Sequence, residues 1–184
     1  EVLRYQIPEW DQLSFNQKSY IYHLCEAAKS GRDITWDQYY KHNLSIRYVL
    51  ENILENYGGE RSGAQWDAFL VYAKRVFFSN GIHHHYSDDK ILPGCTREYF
   101  ASLMEAVSCC DDSLLEVIFN PDIAPTKRYQ GSEKDIVEAS AVNFYEGVTA
   151  AEVNAFYDGK AVPGDPRPVS YGLNSKVVKG EDGV

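Results

Sequence analysis

The 184-residue sequence predicts an α+β protein that is predominantly α-helical. Through the first two-thirds of the chain, apolar residues recur at three- and four-residue spacing, which is typical of amphipathic helices packed as a bundle. Towards the C-terminus, β-branched and aromatic residues alternate with glycine and proline, which indicates a few strands. The character changes near Gly131, so we expect a helical part over residues 1–130 and a mixed α/β part over residues 131–184.

Three helices are predicted in the first half of the chain. Ser14 and Gln17 have the spacing of a capping box, which begins the first helix, and Gly31 ends it. The second helix is predicted over residues 37–57 and the third over residues 62–79. The apolar positions expected to face the core are Tyr20, Ile21, Leu24, Ala27 and Ala28 in the first helix, Ile46, Val49, Leu50, Ile53, Leu54 and Tyr57 in the second, and Trp66, Phe69, Leu70, Ala73, Val76 and Phe77 in the third.

Two shorter helices follow after a loop. Thr96 is expected to cap a helix over residues 96–107, whose core positions repeat at helical spacing. Another helix over residues 114–119 ends before Pro121, because proline lacks the N–H that a continuing helix needs.

The C-terminal part is predicted to contain both strands and a helix. We predict a strand in the later half of residues 136–145, and a helix that begins at the capping box of Thr149 and Glu152. A further strand is expected over residues 169–179. Asp182-Gly183 is the dipeptide of a two-residue hairpin turn, which predicts that a returning strand would lie in polypeptide beyond this sequence.

Composition and charge exclude several classes of function. Lys and Arg total 18 against 27 Asp and Glu, a net charge of −9, so we expect no nucleic-acid partner. No apolar run approaches the ~20 residues that cross a bilayer, so we expect no membrane association.

The four cysteines show no metal-binding or disulfide spacing, and Cys109 and Cys110 are expected to be free thiols. Free thiols favour the cytoplasm, with the periplasm as the alternative compartment.

No catalytic set is visible in the sequence. It has no H-E-x-x-H zinc motif, no G-x-S-x-G nucleophile turn and no glycine-rich phosphate loop after a strand. His23 and Cys25 stand among the apolar positions of the first helix, where we expect them to pack in the core. We therefore predict no catalytic residue in this chain.

The strongest local signal is the run of three histidines at residues 83–85. In an extended segment His83 and His85 share a face, and such a pair can supply two imidazole ligands to zinc. No third ligand stands at a diagnostic spacing. The favoured interpretation is a polar, aromatic loop that lines a surface or cleft, so no metal site is predicted in this chain.

Two stretches together resemble the dipeptidyl peptidase III family, most closely its Bacteroides-type members. The first is Ser-Asn-Gly-Ile-His-His-His-Tyr at residues 79–86, continued by Asp-Lys-Ile-Leu-Pro at 89–93. The second is Asn-Phe-Tyr-Glu-Gly-Val-Thr at 143–149, followed by Ser-Tyr-Gly-Leu-Asn-Ser-Lys at 170–176. Gly-Arg-Asp-Ile at 31–34 also fits, and the likeness extends over the whole chain.

The resemblance implies a two-lobed zinc exopeptidase that releases dipeptides from the N-termini of short peptides. Family members hold zinc with two histidines of an H-E-x-x-G-H helix and a later glutamate, all of which would lie beyond Val184. This chain would then be the N-terminal part of the lower lobe, in which the strands begin a larger β-core. Zinc would belong to the full-length parent, and this fragment would be inactive.

The resemblance also implies one substrate-binding position. The family's loop after the third helix faces the interlobe cleft, and an aromatic residue there lines a subsite for the peptide. That position is Tyr86, and Asn80 and Gly81 form the turn that places it. The run of histidines at residues 83–85 departs from the pattern of the eukaryotic members.

Two other functions remain open at this point. The chain is alternatively a self-contained helical module that binds a partner protein through its aromatic surface. A third hypothesis is a small metal-binding protein built on His83 and His85, which would bind stoichiometric zinc.

Overall fold

The computed structural model describes residues 6–166 and 175–184 of the chain. These residues form mostly helix with two short strands, which confirms the prediction of a predominantly α, α+β protein. In chain order the elements are a short 3-10 helix Trp10–Gln12, α1 Phe15–Ser30, α2 Arg32–Tyr39, α3 Asn43–Asn56, α4 Ala64–Ser79, α5 Arg97–Ala106, α6 Asp112–Phe119, β1 Tyr145–Glu146, α7 Ala150–Asp158 and β2 Val177–Val178. Among the helices in these ranges, none is long and apolar enough to cross a membrane.

The chain divides into two compact units, residues 1–33 and residues 34–184. This division differs in place from the change in sequence character near Gly131, which stays a prediction about the organisation of the chain. The described part of the first unit contains the 3-10 helix and α1, whereas the second contains the bundle and both strands.

The first unit confirms the start of α1 but not its predicted core face. The Ser14 hydroxyl accepts a hydrogen bond from Gln17 N at 3.3 Å, and Gln17 Oε1 accepts one from Ser14 N at 2.9 Å. No residue of α1 is buried, and Leu24 is 50% exposed. The predictions that His23 and Cys25 pack in the core are therefore wrong, since both are exposed. Among the described residues of this unit, the regular structure apart from α1 is the three-residue 3-10 helix and the first residues of α2, which is too little to cover an apolar face.

The second unit has its core among α3, α4, α5 and α6. Helix α3 contacts α4 and α5, and α5 contacts α6. The predicted apolar stripes of these helices point inward, as expected from their 3-4 spacing. Fully buried members of this core include Ile46, Leu50, Ile53, Phe69, Val76, Phe100, Leu103, Met104 and Ile118.

The predicted second helix is wrong in its first part, because the chain breaks it into α2 and α3. Asn43 N donates to the carbonyl of Tyr40 at 2.9 Å, and Asn43 Nδ2 donates to the carbonyl of Trp36 at 3.0 Å. Asparagine side chains that bond to nearby backbone compete with helical hydrogen bonds, so the turn before Asn43 replaces a continuous helix.

The predicted strand in the later half of residues 136–145 is also largely wrong. Asp135 turns the chain, since its Oδ1 accepts hydrogen bonds from Val137 N at 2.8 Å and Glu138 N at 3.2 Å. Strand structure begins only at Tyr145, and β1 pairs in parallel with β2. The capping box of Thr149 is confirmed at the start of α7.

The second predicted strand is confirmed only as β2. Residues 169–174 of the predicted 169–179 strand lie outside the described residues. The tight turn near the end is present but displaced by one residue from the prediction. Gly180 and Gly183 exchange hydrogen bonds of 2.8 and 3.3 Å, so Glu181 and Asp182 occupy the centre of the turn.

Candidate functional site

The loop between α4 and α5, residues 80–93, carries the three predicted site residues and is called here the aromatic loop. It leaves α4 at Asn80, which has a left-handed backbone conformation with φ of 54°. Gly81 follows with φ of 149° and donates its N–H to the carbonyl of Val76 at 3.0 Å. A Cβ on Gly81 would lie 2.3 Å from Asn43 Nδ2, so only glycine fits at this position.

Asn43 at the start of α3 anchors the beginning of the loop. Its side chain is fully buried, and its Oδ1 accepts a hydrogen bond from Ile82 N at 3.1 Å. The amide group of the same side chain bonds to the carbonyl of Trp36. One buried amide therefore joins α2, α3 and the aromatic loop, and its polar atoms are satisfied as burial requires.

The aromatic loop folds back on itself as a narrow hairpin. His83 and Lys90 form an antiparallel bridge, and His84 N donates to the carbonyl of Asp89 at 2.8 Å. At the tip, His84 Nδ1 accepts hydrogen bonds from the backbone N–H groups of Tyr86 and Ser87, both at 3.3 Å. The tip is thus fixed by backbone and imidazole contacts rather than left as an open loop.

The returning side of the hairpin, next to its tip, is fixed to the segment that follows α6. Asp88, with φ of 63°, accepts from Lys127 Nζ at 3.0 Å and from Arg128 Nε at 2.6 Å. Burial acts to raise the pKa of the Asp88 carboxyl, but the hydrogen bonds from Arg128 and Lys127 outweigh it and hold that pKa below its usual value. Lys127 Nζ also lies 4.3 Å from the centroid of the Tyr39 ring, a cation–π contact.

Tyr86 lies at the tip of this loop and is 85% exposed. Its ring centroid is 4.5 Å from that of His85, which in turn lies 4.6 Å from His84 and 4.8 Å from Phe78. We call these four rings the aromatic cluster. Phe78 is also largely exposed, so the cluster presents flat apolar area and polar ring edges to solvent.

His83 does not share the environment of the aromatic cluster. It is 1% exposed, and its Nε2 donates to the carbonyl of Ala124 at 2.8 Å. Burial lowers the pKa of His83 to about 4, so its imidazole is neutral at neutral pH. Because Nε2 carries the proton, Nδ1 holds a lone pair, and this buried atom has no hydrogen-bond partner among the residues that the structure describes.

In the run of histidines, the described contacts occupy one ring nitrogen of His83 and one of His84. Nε2 of His83 is engaged by Ala124, and Nδ1 of His84 accepts two backbone N–H groups. Across residues 6–166 and 175–184, there is no group of three or more His, Cys, Asp or Glu side chains that could hold a metal ion. The hypothesis of a metal-binding protein built on His83 and His85 therefore gains no support from the geometry.

A second surface feature is an open groove of about 1080 Å³. It is lined by residues between 122 and 129 and between 134 and 148, together with Tyr40, Lys41 and Lys176. Asp89 also lines the groove, so the returning side of the aromatic loop reaches its edge, whereas Tyr86, Asn80 and Gly81 do not line it. Sequence reasoning missed the groove because most of its lining comes from irregular segments without a periodic pattern.

Neither a scan against models of protein families nor a search of curated proteins finds a match to this chain. The features of the chain that bear on its function are therefore the motifs of its sequence and the geometry of the aromatic loop.

Proposed function

We propose that this chain forms one wall of the peptide-binding cleft of a zinc-dependent dipeptidyl peptidase of the dipeptidyl peptidase III type. The order and spacing of the motifs at residues 79–93, 143–149 and 170–176 support the proposal. The observation that carries it is the position of Tyr86, which stands 85% exposed at the tip of a loop held by buried hydrogen bonds.

The chemistry of the aromatic cluster suits a peptide ligand. A tyrosine ring offers flat apolar area to a peptide side chain, and its hydroxyl offers one polar contact. The buried contacts of Asn43 and Asp88 hold the loop before a ligand arrives. Because little conformational freedom then remains to be lost, binding to such a surface has a low entropic cost.

The proposal assigns neither zinc binding nor the activation of water to the described residues. No group of metal-ligating side chains is found among the described residues, so we derive no catalytic step from this chain. Under the proposal, zinc is held by residues of polypeptide beyond Val184, and the residues of this chain contribute only substrate contacts. Short peptides with a free N-terminus are the partners, and the fragment by itself does not hydrolyse them.

The proposal is tested by comparing this chain with the product of the complete reading frame that contains it. Both proteins are assayed on a dipeptidyl arylamide, with and without a metal chelator. We expect hydrolysis only from the complete product, and we expect the chelator to abolish it. A reading frame that lacks a zinc-binding helix, or hydrolysis by the isolated 184 residues with metal they bind unaided, would contradict the proposal.

One observation favours a second function, that of a helical protein-interaction module. Helix α1 exposes large apolar side chains, among them Phe15 at 83% and Tyr20 at 66%. Exposed apolar surface of this kind marks an interaction site in many proteins. Under this alternative, a Phe15→Ala, Tyr20→Ala double variant loses binding to the partner, whereas Tyr86→Ala retains it.

A further inference from the structure

The side chain of Lys90 ends in a cage of backbone carbonyl groups. Its Nζ donates to the carbonyl oxygens of Val117 at 2.6 Å, Asn120 at 2.6 Å and Ile123 at 2.8 Å. A lysine ammonium group has three N–H donors, so each of them is used by one carbonyl. The three carbonyl oxygens form a cation-binding site, and the cation that fills it is the ammonium group of Lys90.

The sequence explains why these carbonyls need a donor. In a continuing helix the carbonyl of Val117 would accept from the N–H of the residue four positions later, but that residue is Pro121, which has none. The carbonyls at the end of α6 also carry the negative end of the helix dipole, which favours a cation. Lys90 therefore supplies, from a distant part of the sequence, the donor that Pro121 lacks.

The same residue is held firmly at its backbone. Lys90 N donates to the carbonyl of Pro125 at 3.0 Å, and Lys90 bridges His83 within the aromatic loop. Asp122, Ala124 and Pro125 line the groove. Lys90 thus connects the aromatic loop, the end of α6 and one side of the groove through the side chain and backbone of a single residue.

We infer that the Lys90 ammonium group occupies a cation site of three carbonyl oxygens and thereby fixes residues 120–125 to the aromatic loop. When the Lys90 side chain is removed, the vacated site binds a primary alkylammonium ion. Burial lowers the pKa of Lys90 to about 8, which leaves the group protonated at neutral pH. The Glu116 carboxylate, itself paired with Arg97, acts in the opposite direction and favours the charged form. The inference is independent of peptide binding.

The test is chemical rescue of a Lys90→Ala variant, followed by thermal unfolding at neutral pH. Loss of three charge-assisted hydrogen bonds should lower the unfolding midpoint by roughly 5–10 °C. n-Propylammonium, which replaces the removed atoms, should recover about half of this loss or more, since it restores the same three N–H donors. Tetramethylammonium has the same charge but no N–H donor and should recover none.

Two controls make the rescue specific. Lys134→Ala removes an exposed lysine and should show no effect of either ion on its midpoint. Lys90→Met keeps much of the side-chain volume without a donor, and should be destabilised but not rescued. Equal recovery by both ions, or no recovery of Lys90→Ala by n-propylammonium, would overturn the inference.

A second measurement needs no variant. The Lys90 ammonium protons can be observed in the 15N-labelled wild-type chain, assigned by scalar coupling along the side chain. We expect them to exchange with water at least tenfold more slowly than those of exposed Lys134, because each is held by a carbonyl. Exchange as fast as that of Lys134 would overturn the inference even if Lys90→Ala did not fold.

Discussion

Asp88 and Lys127 form a buried ion pair, in which Oδ1 and Nζ are 3.0 Å apart and the side chains are only 5% and 4% exposed. The backbone repeats the connection, since Lys127 N donates to the carbonyl oxygen of Asp88 at 2.8 Å. Two charges are tolerated at such depth only when each has a partner. The pair therefore fixes the returning side of the aromatic loop, next to its tip, to the segment that follows α6.

The first prediction concerns the loss of this pair. Asp88→Asn keeps the shape of the side chain and its tolerance of a positive φ, but leaves the Lys127 charge without its partner. We expect the free energy of unfolding to fall by about 3 kcal/mol, measured with chemical denaturant. Removal of the exposed Arg128 side chain should cost less than about 1 kcal/mol. In the double variant Asp88→Asn, Lys127→Met the loss should be smaller than the sum of the single losses, and additive losses would contradict the account.

The second prediction concerns pH and His83. Burial lowers its folded-state pKa to about 4, although the hydrogen bond to Ala124 opposes the shift, whereas an unfolded histidine titrates near about 6.5. Between these values the unfolded state binds more protons, so stability is complete above the higher value and falls as the pH drops through the window. The difference between the two pKa values corresponds to a loss of about 3 kcal/mol in the free energy of unfolding across this window.

Denaturant unfolding of His83→Gln across this pH range checks the second prediction. Glutamine keeps a donor for the Ala124 carbonyl but does not titrate, so the variant should lose most of the slope of stability against pH between about 6.5 and 4. His23→Gln, which changes an exposed histidine of α1, is the matched control for removal of an imidazole. An unchanged slope in His83→Gln would show that His83 is not the buried neutral group described here.

The third prediction concerns the turn that begins the aromatic loop. Gly81→Ala places a Cβ 2.3 Å from Asn43 Nδ2 at a φ of 149°, so the variant should lose about 2 kcal/mol of stability. Gly58→Ala is a matched control, because a Cβ there meets nothing within 4 Å. That control should be neutral or slightly stabilising. Equal effects of the two changes on the unfolding midpoint would contradict the described contact.

Local signals in the sequence predicted much of the helical structure. Ser14 with Gln17, and Thr149 with Glu152, are capping boxes whose partners lie three residues apart, so a short window contains the whole interaction. Helical periodicity likewise identified the buried stripes of α3 and α4. Periodicity failed at α1, because it shows that a helix has an apolar face but not that the chain supplies something to cover it.

The contacts that hold the candidate site could not be predicted from local sequence patterns. Asn43 breaks a predicted helix because its side chain bonds to Trp36 and to Ile82, which lies far along the chain. Nothing in the local sequence marks Asp88, and the fold places Lys127 beside it from a distant part of the chain. Such pairs join residues distant in sequence and leave no periodic trace, so only the folded chain reveals them.

The central claim is that Tyr86 contacts the peptide, and steady-state kinetics of Tyr86→Ala in the product of the complete reading frame test it most directly. Loss of an aromatic contact worth about 1–1.5 kcal/mol should raise KM for a dipeptidyl arylamide roughly tenfold. The value of kcat should change little, because the contact is not part of the chemical step. Tyr20→Ala, which removes another largely exposed tyrosine, this one from α1, should leave both constants unchanged. A Tyr86→Ala enzyme with the wild-type KM would contradict the account.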